Sequence, residues 1–285
     1  MSILDDLKNT FSNNNSLPKL IVINAILFVL INILNLISEN FYLYFSLPST
    51  INSLLHYPWT LLTYMFTHKD FFHFLFNMLW LYWMGIIALD FLGSKRLVAI
   101  YILGGLSGGV LFLLSYLIVL NGDSPMYLLG ASGAVMAVVV AIATLVPDYE
   151  IILLLFGRVK LKYLALASFV ITTLIDLNVN TGGKIAHLGG ALFGLTYTFL
   201  YKRGTDLSIP ITKFLLLFDR NSKLFEKKSK MKVVYKNTAT AQKTSTISQT
   251  ELQEKTDIIL DKISKSGYES LTAEEKDILF KASRK

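Results

Sequence analysis

The chain has 285 residues, 53% of them hydrophobic and only 16% charged, with a mean hydropathy of +0.51. A soluble domain carries roughly 25% charged residues, so the composition argues against a soluble globule, and the absence of cysteine excludes disulfides, zinc–thiolate sites and a thiol nucleophile. The net charge of +7 lies entirely after residue 201, where 18 Lys and Arg meet 11 Asp and Glu; beside apolar spans, such a tail reads as positive-inside topology and not as nucleic-acid binding.

Residues 1–19 form a polar lead with Asp5 and Asp6 and no cleavage-site pattern, so no cleavable signal is expected. A bilayer crossing needs about 17–25 apolar residues. Six runs approach that: Leu20–Ile37, Phe71–Gly93, Leu97–Leu120, Leu128–Val146, Leu161–Leu177 and Ile185–Tyr201, the last two being short. Lys8, Lys19, Lys95, Arg96, Arg158, Lys160, Lys162 and the basic tail fall on one side, and only Lys69 and Lys184 on the other. That asymmetry puts both termini in the cytoplasm, and the Lys- and Asn-rich, cysteine-free composition with short loops points to a multi-pass protein of the inner (plasma) membrane.

Three outward loops follow: Ser38–Asp70, Asn121–Tyr127 and Asn178–Lys184. The first holds Phe41, Tyr42, Tyr44, Phe45, Tyr57, Trp59 and Tyr64, an aromatic content that fits the membrane interface. Ile151–Phe156, between Pro147 and Gly157, is too short to span and is expected to lie along the cytoplasmic surface. In the tail, Ile211–Val234 mixes apolar residues with lysines as an interfacial segment does. Residues 236–249 read as linker. Leu252, Thr256, Ile259, Leu260 and Ile263 recur at helical spacing, Gly267 fits a C-cap, and Thr272 with Glu275 forms a capping-box pattern. The expected organisation is 1–19 lead, 20–201 membrane domain, 202–235 basic segment, 236–249 linker and 250–285 helical hairpin.

Three features carry chemistry. His73 and Asn77 lie four residues apart, on one helix face. Gly130-Ala131-Ser132-Gly133 sets a small hydroxyl between glycines at the start of an apolar run. His187 precedes Gly190 and Gly194, a small-residue face that lets its helix approach a neighbour closely. Taken singly, each admits a packing reading: a polar pair gluing helices, or a small-residue contact. Gly104/Gly108 and Gly105/Gly109 read as packing only.

Together, in this order and on these spans, the features resemble the rhomboid intramembrane serine proteases over about residues 55–201. Phe66-Thr67-His68, Trp59 and Ala186-His187-Leu188-Gly189-Gly190 followed by Gly194 also look like that family's patterns. The resemblance implies an all-α membrane protein: a six-transmembrane-helix bundle with an interfacial first loop and a small cytoplasmic helical tail. It implies Ser132 as nucleophile, His187 as general base and acid, and an oxyanion hole from His73, Asn77 and the Ser132 backbone N–H. Gly130, Gly133, Gly190, Gly194, Met136 and Trp59 support them. No cofactor or metal is implied; the partners are transmembrane protein substrates and membrane lipids. Two positions depart from common family patterns. Thr60 follows Trp59 where many members have arginine, and Met136 stands where some carry an aromatic against the base histidine. Around Ile263–Ala282 the tail resembles an extension of some bacterial members.

Two rival readings remain: an inactive relative that escorts membrane proteins, and a small proton-linked transporter using His73, Asn77, His187 and Asp176. The retained serine and histidine weigh against the first. The lack of internally repeated halves weighs against the second.

Overall fold

Helix α1 (Ser16–Ile37) opens the described structure; of its 22 residues, those from Leu20 onward are apolar but for Asn24, Asn32 and Asn35. The Asn15 side chain caps it by accepting the Leu17 N–H at 3.0 Å. The structure, a computed structural model, describes residues 15–120, 126–153, 157–174, 180–217 and 249–282. It divides into one unit up to residue 227 and a second from residue 228.

In the first unit, the loop after α1 contains the short strand β1 (Leu47–Pro48) and the one-turn helices α2 (Ile51–His56) and α3 (Thr60–Thr63). Then come α4 (Phe71–Leu92) and α5 (Ser94–Ser115), separated only by Gly93 at φ +81°. Strand β2 (Tyr127–Leu128) pairs antiparallel with β1, joining the first loop to the residues just before α6 (Ser132–Leu145). Strands β3 (Glu150–Leu153) and β4 (Gly157–Lys160) form a hairpin, followed by α7 (Leu161–Phe169), α8 (Thr181–Lys202) and α9 (Ile209–Leu217).

Among the described residues three helices are long and apolar enough to cross a membrane: Ser16–Ile37, Phe71–Leu92 and Ser94–Ile118. Ser132–Leu145 and Leu161–Thr173 are apolar but shorter. The run expected at Leu128–Val146 is shortened because its first residues form β2 and a turn, so the helix starts at Ser132. The run expected at Leu161–Leu177 is α-helical only to Phe169 and widens into a π turn over Val170–Leu174; Ile175–Leu177 lie outside the described residues. Helix α8 has 22 residues, about 33 Å at the α-helical rise, but Lys184, Lys202 and five glycines dilute its apolarity. The expected all-helical architecture is amended at two points by two-stranded ribbons. Within the run expected at Ile151–Phe156, the described Ile151 and Ile152 are β-branched and pair with Val159 and Arg158, which favours a pleated strand.

Glycine sets the packing of α5, α6 and α8. A Cβ on Gly108 would lie 2.8 Å from the Ala186 carbonyl oxygen, and one on Gly194 2.5 Å from that of Ala137. One on Gly190 would strike the Gly133 carbonyl oxygen. These backbones touch without side chains between them. The contact is reinforced by Ser107 Oγ donating to the Gly189 carbonyl at 3.0 Å and Thr198 Oγ1 donating to that of Ala141 at 2.9 Å.

The ends are tied by polar groups. Asn24, fully buried in α1, donates to Tyr101 Oη at 3.2 Å, and Tyr101 donates to the Met65 carbonyl at 3.0 Å. Arg96 Nε meets Asp206 Oδ2 at 2.8 Å, clasping the start of α5 to the segment after α8. Burial by itself would raise the Asp206 carboxyl. Hydrogen bonds from Ser208 and Arg96, with the Arg96 charge, outweigh it and hold the group below its usual range.

In the second unit, α10 (Gln249–Ser266) and α11 (Ala273–Ala282) form a hairpin around buried Ile259 and Leu271. The capping box is made in both directions: Thr272 N–H donates to Glu275 Oε2 at 2.7 Å, and Glu275 N–H to Thr272 Oγ1 at 3.3 Å. Lys262 closes the hairpin on Glu275 at 2.8 Å. The expected interfacial run is helical over α9, and the remainder of it, with the linker as far as residue 248, lies outside the described residues.

Gly190→Ala is expected to push α8 off α6 and to cost about 1–3 kcal/mol as overpacking, read as a lowered thermal midpoint in detergent. The depressed Asp206 carboxyl adds stability above the ordinary carboxylate pKa, which is lost as pH falls through the folded value. The midpoint of the wild type is therefore expected to fall between about pH 5 and pH 3. Asp206→Asn should flatten that fall; an unchanged slope in the variant would exclude the clasp as its source.

Candidate functional site

Ser132 is the first residue of α6, and the turn before it is fixed from several directions. Gly130 has φ +115°, a conformation L side chains rarely adopt, and a Cβ there would lie 2.5 Å from His73 Cε1. Glycine is thus required both by the backbone and by the imidazole packed against it. The Gly130 N–H donates to the Tyr64 carbonyl at 2.9 Å. Tyr64 is itself fully buried, with its hydroxyl on the Gly105 carbonyl at 2.5 Å. The turn carrying the serine is therefore hung on α5 through Tyr64.

His187 reaches the same region through α8. A Cβ at Gly133 would lie 3.0 Å from the Ala186 carbonyl oxygen, and Gly190 abuts the Gly133 carbonyl. The Ser132–Gly133 and Ala186–His187 backbones therefore adjoin. Both side chains are half-buried. The Ser132 hydroxyl has no hydrogen-bond partner among the described residues. His187 Nδ1 lies 3.3 Å from the Thr172 carbonyl oxygen, in the π turn after α7. A carbonyl only accepts, so Nδ1 carries the hydrogen; in the neutral ring that leaves the lone pair on Nε2, the form a general base needs. The group that orients the imidazole is this backbone oxygen.

His73 and Asn77 lie one turn apart on α4, whose N-terminus is capped by Asp70 Oδ1 accepting the His73 N–H at 2.9 Å. The His73 ring packs on Gly130, at the threshold of Ser132. Asn77 is buried, and its Nδ2 donates to the His73 carbonyl at 3.0 Å and to His68 Nε2 at 3.3 Å. The structure thus brings His73 to the serine turn. It reaches Asn77 only through His68.

His68 received no role from the sequence beyond its place in the Phe66-Thr67-His68 pattern. It is fully buried, and its Nε2 also lies 3.2 Å from the Ala131 N–H, one residue before the serine. The ring stands edge-on to His73 at 5.4 Å and to Phe74 at 5.5 Å. Its carbonyl accepts from Asn32 on α1 at 3.0 Å. The available signal was spacing: three of the chain's four histidines are His68, His73 and His187, and the first two are five residues apart.

The supporting residues behave differently from one another. Gly133, Gly190 and Gly194 make the helix contacts described above, and Met136 is buried in α6. Trp59 is half-exposed; its Nε1–H donates to the Tyr44 carbonyl at 2.9 Å and its ring stands edge-on to Tyr57, so it braces the first loop. Among the described residues no cluster of three His, Asp or Glu side chains is able to hold a metal ion. The arrangement offers a free hydroxyl at a helix start, an imidazole on the adjoining helix, and a second imidazole against the same turn.

Comparison with known families finds the Rhomboid domain over residues 55–204, more than half of the chain, and a family of unknown function (DUF6576) over residues 246–285. The presenilin-associated rhomboid-like protein, mitochondrial, of Rattus norvegicus is 31% identical over 144 residues, covering 46% of this chain and 35% of that protein. Its Homo sapiens counterpart matches to the same extent. Rhomboid-like protein 14, mitochondrial, of Arabidopsis thaliana is 32% identical over 154 residues, covering 52% of this chain and 44% of that protein. The chain therefore spans less than half the length of these relatives.

Proposed function

The chain belongs to the rhomboid family, and from that membership and the geometry around Ser132 we propose that it is an intramembrane serine endopeptidase. The observation that supports this reading is the backbone contact of Gly133 with Ala186 and Gly190, next in the chain to a serine whose hydroxyl is unpartnered among the described residues and to a histidine held through Nδ1. Ser132 Oγ attacks a peptide carbonyl while His187 Nε2 takes its proton, and the same imidazole then protonates the leaving amine. Water hydrolyses the acyl-enzyme by the reverse proton transfer. The oxyanion is held by the Ser132 backbone N–H at the start of α6, where the helix dipole favours negative charge, and by His73 and Asn77. That Ser132 and His187 are not hydrogen-bonded at rest fits catalytic contacts that tighten when substrate is bound.

The substrates are membrane-spanning segments of other proteins. Residues 20–201 form the catalytic bundle of six spans in an inner (plasma) membrane with both termini cytoplasmic, and residues 250–285 form a separate helical tail. The relatives named above carry mitochondrial names, so the membrane itself is decided by experiment and the orientation by the charge distribution of the loops.

A fluorophosphonate probe is expected to label the detergent-solubilised wild type and neither Ser132→Ala nor His187→Ala. His73→Ala should reduce cleavage of a test transmembrane substrate by about 100- to 1,000-fold. A folded wild type that binds the substrate but neither labels nor cleaves would move the reading to an inactive scaffold. Because the chain lacks cysteine, orientation is directly measurable. Cysteines introduced at Ser53 and at Lys160 should react with an impermeant maleimide from opposite sides of sealed vesicles, and reaction from the same side would overturn the six-span topology.

A further inference from the structure

His68 Nε2 is a single acceptor with two donors. A neutral imidazole nitrogen has one in-plane lone pair. Here it lies 3.2 Å from the Ala131 N–H and 3.3 Å from Asn77 Nδ2, both longer than the usual 2.9–3.0 Å. Asn77 has two amide hydrogens, and the other is on the His73 carbonyl at 3.0 Å. At rest, therefore, Asn77 has no spare donor for an oxyanion. It must release one bond, and the cheaper one is the shared bond, because the lone pair it leaves behind is then taken wholly by Ala131 and no further buried polar atom is orphaned.

We propose, resting on the protease reading above, that His68 is a positioning residue with two linked tasks. It anchors the Ala131 amide, and so the turn that presents Ser132. It also parks one N–H of Asn77, which is handed to the oxyanion as negative charge develops while His68 closes fully on Ala131. The exchange replaces a stretched, shared bond with a charge-assisted one, so it is favourable only when the charge is present. Asn77 then binds the transition state more strongly than the ground state, which is the condition for raising the rate.

The surroundings keep the acceptor intact. Burial, and then the neighbouring His73 ring, hold the His68 imidazole down to about 3, so the ring is neutral at physiological pH, and the Ala131 N–H, which only donates, selects the tautomer with a bare Nε2. Phe74 and His73 clamp the ring edge-on from α4, and Asn32 holds its backbone from α1. The ring is thus fixed while its two donors differ: Ala131 belongs to a backbone turn, and Asn77 is a side chain that turns about its own bonds.

The test compares wild type, His68→Leu and His68→Gln in the full chain. The glutamine carbonyl oxygen reaches to about the position of Nε2 and has two lone pairs, so it serves both donors; leucine serves neither. For His68→Leu, kcat on a test transmembrane substrate is expected to fall by about 10- to 100-fold with KM nearly unchanged. His68→Gln should keep kcat within about threefold of wild type. Amide hydrogen exchange in residues 128–133 should speed up in His68→Leu and stay at the wild-type rate in His68→Gln. Exchange at the wild-type rate in a folded His68→Leu overturns the anchor. Equal loss of kcat in both variants, in step with their thermal midpoints, overturns the positioning role in favour of plain packing. A wild type inert towards substrate sinks the protease reading, and the exchange arm still decides the His68 contact because it needs no turnover.

Discussion

The contact on which the site depends is the one between two glycines. Gly190 of α8 abuts the carbonyl of Gly133 on α6, and no side chain of any size fits between them. In a bilayer, lipid tails are as apolar as leucine, so helices gain little from hiding apolar faces from one another. They associate through dispersion at close range and through hydrogen bonds. A backbone-to-backbone approach maximises the first, and the bonds from Ser107 and Thr198 to carbonyls on neighbouring helices supply the second. The spacing that results is set by atoms that do not rotate. A serine and a histidine adjacent to that contact therefore inherit its precision.

A second constraint acts from above the serine. The residues before α6 are held by strand pairing of β2 with β1, by the Gly130 bond to Tyr64 and by the Ala131 bond to His68. Each of these partners lies in the first loop or at its end. The aromatic loop and the serine turn thus form one hydrogen-bonded body, while α4 contributes His73 and Asn77 from the side. This division gives the loop a mechanical role in addition to the interfacial one that its aromatic content indicates.

Much of this was legible in the sequence, for reasons that differ between residues. Ser132, His187, His73 and Asn77 stand out because polar groups in apolar runs are costly and rare. The glycines stand out by their four-residue spacing. The tail capping box is readable because both partners sit within one turn. What the sequence concealed depends on contacts distant along the chain. His68 acquires its role only when Ala131, 63 residues later, folds onto it. The β3–β4 hairpin escaped because a short apolar run has no period of its own. The shortened helix at Ser132 escaped because hydropathy does not distinguish a strand and a turn from the first turns of a helix. Helix α8 shows the converse: its glycines lower its apolarity, and they are what seats it in the bundle.

The orientation of His187 has an evolutionary corollary. Its Nδ1–H is met by the main-chain oxygen of Thr172, not by a carboxylate. Every amino acid carries that oxygen, so a change of side chain at position 172 leaves the acceptor itself in place. What selection must preserve there is a curvature: the widened π turn that aims the carbonyl. One residue inserted or deleted between Phe169 and Leu174 would do more harm than any single replacement within it. What orients His187 is a shape, and a comparison of residue identities passes over it.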